Sequence, residues 1–221
     1  MWRKMVAMMR SRGKIMPKRF SDQERSYIVN NLKQAAAESV ARQGIQHTTI
    51  DDLVRAAGIP KGTFYLMYPS KEQLILEVIL EEQGRMGEYL NGKIDAVDLR
   101  GEVPAQVTDA MVDFFLTAYD KCAVRVLCTS EISLLHRKLP GDDVEKILDN
   151  VSAIMRAAFS RLPLKNPEDL NRYINALQAL FYGFYHNEDN PFLRMQSEED
   201  FLRVAIGGIV IQMIAPQKEY P

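Results

Sequence analysis

The residues whose types and spacing suit chemistry fall mainly in one short run, Lys61, Gly62, Thr63 and Tyr65, directly after Pro60. A helix opening here would present unpaired N–H groups to a phosphate. Gly62 would cost ~1 kcal/mol against alanine inside such a helix, but it lets a foreign backbone come close. Lysine neutralises a phosphate, and the Thr and Tyr hydroxyls bond to phosphates or base edges. This is the chemistry of nucleic-acid contact. The other reading is an ordinary helical hairpin with a tolerated glycine. Elsewhere reactive types are scattered. His47, His136 and His186 are isolated, and there is no HExxH, no GxSxG and no glycine-rich phosphate loop, so no enzyme is expected. His186-Asn187-Glu188-Asp189 could hold a metal, yet a solvated loop is the expectation, with no metal and no cofactor. Cys122 and Cys128 match neither a disulfide framework nor a zinc site. They read as buried small hydrophobes rather than oxidant sensors, in a reduced, cytoplasmic setting.

Two short helices must position the run. Thr49 supplies a hydroxyl cap, with Asp51 and Asp52 in the first turn. Leu53, Val54, Ala56 and Ala57 form the buried side, and Gly58 ends the helix. Pro60 suits the start of the next helix and Pro69 its end. A brace, a tight turn and a probe form helix-turn-helix geometry. Upstream, Ser21 and Glu24 fit a capping box, a stripe from Ile28 to Val40 follows, and Gly44 is a C-terminal stop, which predicts a helix near 22–43. Ser70 caps a fourth helix carrying Leu74, Ile75, Val78 and Ile79. Helical periodicity continues over about 104–120, 123–138, 142–161, 167–186 and 198–214. The expected fold is all-α, about nine helices, with a three-helix N-terminal module on a C-terminal helical bundle.

Charge is divided along the chain and admits two readings, a nucleic-acid-facing end or a solvated basic tail, since seven of the positive residues lie in residues 1–19 and residues 20–71 hold 6 Lys/Arg against 5 Asp/Glu. Residues 1–71 hold 13 Lys/Arg against 5 Asp/Glu, and the remainder holds 15 against 24, so a net charge of −1 conceals a basic N-terminal third. Residues 1–20 form a basic tail, expected to be disordered without a polyanion and lacking the apolar stretch of a secretory signal. Met16 is a possible internal start. No apolar run approaches the ~18 residues that cross a bilayer, so no membrane is expected.

The stretch Thr48-Thr49-Ile50-Asp51-Asp52-Leu53-Val54-Arg55-Ala56-Ala57-Gly58-Ile59-Pro60-Lys61-Gly62-Thr63-Phe64-Tyr65, followed by Tyr68-Pro69-Ser70-Lys71-Glu72-Gln73-Leu74, resembles the DNA-binding signature of TetR/AcrR-type transcriptional regulators. The resemblance implies a homodimer whose helix-turn-helix reads a palindromic double-stranded operator, with a variable ligand domain behind it. By position it places Thr49, Lys61, Gly62, Thr63, Tyr65 and Lys71 at DNA, Lys71 on a phosphate, and Phe64 and Tyr68 in the core. Pro60 departs from the usual small polar residue, and Leu66 and Met67 from positions often aromatic or His, which shifts base reading toward thymine methyls. Residues 21–70 would be the DNA-binding domain and 71–221 the sensing and dimerisation domain, within a continuous structure. Stripes including Met111, Phe115, Tyr119, Met155 and Phe159 read first as core, yet Met and aromatic side chains also line adaptable pockets. The resemblance puts a pocket among them, for an unknown, small and largely apolar effector, with Asp113, Tyr119 and His136 as polar anchors. It also pairs the last two helices across a two-fold axis. The expected function is a ligand-released repressor, with activation as a variant. The alternative is a helical small-molecule-binding or adaptor protein without DNA binding.

Overall fold

Ser21 opens the first helix through a reciprocal cap: its Oγ accepts the Glu24 N–H at 3.2 Å, and the Glu24 carboxylate accepts the Ser21 N–H at 2.9 Å. The computed structural model describes residues 20–186 and 197–215. Residues 1–19 of the expected basic tail, and Asn187, Glu188 and Asp189 of the metal candidate, lie outside the described residues.

Helix α1 spans Asp22–His47, interrupted by the non-helical Gly44 at φ 80° and ψ 172°. Helix α2, Ile50–Ala56, and helix α3, Lys61–Met67, flank a turn in which Gly58 takes φ 67°. Both glycines occupy backbone conformations that other residues adopt only with strain. Helix α4, Lys71–Asp95, starts where the Ser70 Oγ accepts the Gln73 N–H. Then come α5 (Val103–Ala118), α6 (Cys122–Cys128), α7 (Ile132–Lys138), α8 (Gly141–Phe159), a 3-10 turn at Pro167–Asp169, α9 (Leu170–Tyr185) and α10 (Glu198–Met213). Among the described residues the fold is all-α, and its extended pairing is one isolated bridge between Leu164 and Ile214.

One expected helix divides. The stretch 123–138 forms α6 and α7, because Thr129 leaves the helical region at φ −123° and ψ 173°. The Thr129 Oγ1 donates to the Arg125 carbonyl at 2.7 Å and accepts the Glu131 N–H at 3.3 Å. Such local side-chain bonds compete with the helical ladder. The described helices therefore number ten instead of about nine.

Packing forms two apolar cores. The first gathers α1 to α3 and the start of α4 around Leu32, Leu53 and Phe64, and also takes in Ala123, Val126, Leu135 and Ile147. The second holds the far end of α4 together with α5, the end of α8, α9 and α10. Packing is thus continuous across residue 70, and α4 runs through both cores. At 25 residues it is ~37 Å long.

Candidate nucleic-acid interface and ligand cavity

The first candidate surface is the outer side of α2, the turn and α3. The Thr49 Oγ1 accepts the Asp52 N–H at 3.1 Å, which caps α2, and donates to the Asp52 carboxylate at 2.6 Å. That bond, helped by Arg55 at 3.1 Å, holds the Asp52 carboxyl below the usual carboxylate range. Leu53, Val54 and Phe64 are buried and fix α2 and α3 against α1. Phe64 and Tyr68 anchor the inner face of α3, while Tyr65 and Leu66 are 53% and 55% exposed on the outer one. Two large side chains held in water by a seven-residue helix suggest a surface that meets something else. At Gly62 a Cβ would meet nothing within 4 Å, so internal packing gives no reason for the glycine. Lys61 pairs with Asp51 at 2.9 Å, and this carboxylate raises the lysine's pKa. Both partners are exposed, so an arriving phosphate can exchange for Asp51 at small cost. The Lys61–Asp51 pair thus ties the first turn of α3 to the first turn of α2, which Thr49 caps, and Gly62, Thr63 and Tyr65 follow Lys61 along α3.

Lys71 is engaged with the backbone just before α2. Its Nζ donates to the Ile45 carbonyl at 2.7 Å and the Thr48 carbonyl at 2.6 Å. At most one of its three N–H donors remains for a phosphate. Spacing along the chain could not reveal this, because the acceptors lie 26 and 23 residues upstream.

A cavity of about 540 Å³ opens among α4, α5, α6, α8 and α9. Phe114, Phe115, Leu127, Ile154, Met155 and Phe181 supply most of its apolar wall, and Gln83, Lys121, Asp149, Ser152 and Gln178 its polar points. Gln83 is held in place, donating to the Ile147 carbonyl and accepting from Asn150, both at 3.0 Å. Of the expected ligand residues, Phe115 and Met155 line this cavity. Met111 and Phe159 are buried in the second core and take no part in lining this cavity, because the side of each stripe they occupy is filled by neighbouring helices. Tyr119 lines a second cavity, of about 330 Å³, with Arg125, Tyr185 and His186. His136 is exposed and borders neither cavity. The break at Thr129 puts it on a separate short helix that buries Leu135 instead. Asp113 is taken up by Tyr89 and by Lys93 at 2.8 Å, outside both cavities. Cys122 and Cys128 are buried free thiols. Among the described residues no three His, Cys, Asp or Glu are grouped as a metal site, and no helix is long and apolar enough to cross a membrane.

These features have counterparts in known proteins. Residues 32–78 match the family model of bacterial regulatory proteins, tetR family. The uncharacterized HTH-type transcriptional regulator YvdT of Bacillus subtilis is 30% identical over 107 residues, covering 48% of this chain and 53% of that protein, so the match spans about half of the relative. Among solved structures, a protein from Mesorhizobium loti assigned to the TetR-family transcriptional regulators superposes with a TM-score of 0.66 at 14% identity, over 85% of this chain and 95% of that one. AibR, in complex with isovaleryl coenzyme A and operator DNA, superposes with a TM-score of 0.58 at 14% identity, over 85% and 100% of the two chains. At such identities the likeness is one of fold: a helix-turn-helix module on a helical bundle.

Proposed function

From an N-terminal module that carries the tetR-family signature, we propose that this chain is a transcriptional regulator, a homodimeric repressor of a palindromic operator that a small, largely apolar ligand releases. The observation that carries the reading is the outer side of α3: Gly62 without internal neighbours beside exposed Tyr65 and Leu66. Residues Lys61, Gly62, Thr63 and Tyr65 enter the major groove, and Thr49 stands at the flanking phosphates. Lys71 acts mainly by holding the backbone before α2, with one donor left for a phosphate. The ligand occupies the cavity lined by Phe115 and Met155. AibR lends support as a protein of this fold recorded with both an acyl-coenzyme A and DNA.

Dimerisation is supported by α10. Val204 and Ile211 are 78% and 61% exposed, and Gly208, which lies between them on the same helical stripe, meets nothing within 4 Å. An apolar stripe with a glycine at its centre suits close helix approach across a two-fold axis. A two-fold dimer presents its recognition helices to two half-sites.

Selection of bound duplexes from a random DNA pool tests the regulator reading. A palindrome with a defined half-site spacing is the expected result. Recovery of no enriched sequence, from protein that still binds apolar ligands, would favour the helical ligand-binding or adaptor alternative.

A further inference from the structure

The geometry points to the peptide of Ile45 as the junction through which the state of the cavity reaches the recognition helix, with Glu131 as its positioning residue. This rests on the reading of the cavity as an effector site.

Ile45 is held from outside at both of its backbone groups. Its N–H donates to both carboxylate oxygens of Glu131, each at 3.0 Å, across 86 residues of sequence. Its carbonyl accepts from Lys71 at 2.7 Å. Charge-assisted bonds of this kind are short and directional. Gly44 makes room for the first: a Cβ there would lie 1.8 Å from Glu131 Oε1. The Glu131 side chain is only 14% exposed, and Arg125 stands 4.0 Å away. The carboxylate therefore depends on the Ile45 N–H for much of its stabilisation. The rest of the elbow has little slack. The Thr48 Oγ1 donates to the Gly44 carbonyl at 2.7 Å and lies 2.9 Å from the Ser39 Oγ, and Lys71 also holds the Thr48 carbonyl. Thr49, the cap of α2, is the next residue.

The two grips come from two different walls of the cavity. Glu131 follows α6, whose Val124, Leu127 and Cys128 line the cavity and which also packs on α1. Lys71 begins α4, which lines the cavity through Gln83 and Met86. A ligand that moves α6 by ~1 Å relative to α4 carries one of the Ile45 bonds beyond hydrogen-bond reach. Both grips then cannot hold one elbow geometry, and α2 and α3 turn with it. A ligand favouring the displaced arrangement shifts the population away from the DNA-competent one.

The test is operator affinity, measured on a duplex recovered by selection, in a double-mutant cycle of Gly44→Ala and Glu131→Ala. Each single change opens the same grip, so each weakens binding ~10-fold and the pair no more than either alone. The slope of affinity against salt stays at its native value, since no phosphate contact is lost. Glu131→Gln, which keeps an acceptor, recovers most of the affinity and guards against a folding defect. Multiplying losses, or native affinity in Glu131→Ala, overturns the proposal. Leu127→Trp then serves as a built-in cavity occupant. It weakens binding in the native background and not in Glu131→Ala. Equal weakening in both backgrounds overturns transmission through Glu131. If Leu127→Trp changes nothing while the cycle holds, the effector-site reading fails and the positioning role of Glu131 stands.

Discussion

Glu82 and the two cysteines show what burial does to single ionisable groups here. Glu82 is buried, and although its carboxylate accepts the Ala123 N–H at 2.8 Å, desolvation raises its pKa above the ordinary carboxyl value. For an acid with a raised folded-state pKa, the stabilising contribution is fully present below the unfolded pKa and is lost as pH rises through the folded one. Glu82→Gln keeps the acceptor and removes the charge, so it should stabilise the protein at pH 8 and raise its Tm there. The gain should vanish below the unfolded carboxyl pKa, and thermal denaturation at both pH values checks this. Burial likewise pushes the Cys122 thiol far up and the Cys128 thiol up to about 11. Because the thiolate is the reacting species, a disulfide reagent at pH 8 should leave both unmodified in the native protein and label both in guanidinium. Rapid native labelling would revive an oxidant-sensing role. Burial of these two thiols was legible in the sequence from their type and spacing. The inward use of Lys71 was not, because a lysine at a helix start looks the same whether it meets a phosphate or a distant carbonyl.

Among the elements, the link between α2 and α3 sets how the probe is presented. Gly58 holds φ 67° with nothing within 4 Å of an added Cβ. Gly58→Ala should therefore cost only backbone strain, ~1 kcal/mol of stability. Gly44→Ala should cost more, since it adds a clash with Glu131 to a comparable strain. Denaturant titration of the two variants would rank them, and a larger loss at Gly58 would contradict this account. The starts of α1, α2 and α4 were readable because each cap is a hydroxyl or carboxylate acting within three residues. The division of α6 from α7 was not. An apolar stripe spans both, and the break depends on Thr129 bonding its own backbone while Glu131 is drawn to α1.

For the whole molecule, the distribution of charge and the proposed two-fold contact bear on what can be assembled. The N-terminal residues to Lys71 carry an excess of positive charge, and the rest an excess of negative. DNA affinity should accordingly fall with salt, with a log–log slope of ~0.9 for each phosphate neutralised. A slope near zero in a binding titration from low to physiological salt would be incompatible with groove binding. Val204→Glu should place a charge in the proposed two-fold contact and convert dimer to monomer by light scattering. A dimer of native mass in that variant would move the interface elsewhere. What the sequence by itself determined was local: helices from periodicity, ends from caps and glycines, and a brace and probe whose order and spacing identify the module. What only the tertiary structure decided was which distant residues meet. The cavity draws its wall from five helices, so Phe115 faces it while Met111, on the same helix, does not. Glu131 reaches Ile45 across 86 residues, a contact that no periodicity encodes because it is made by folding the chain back on itself.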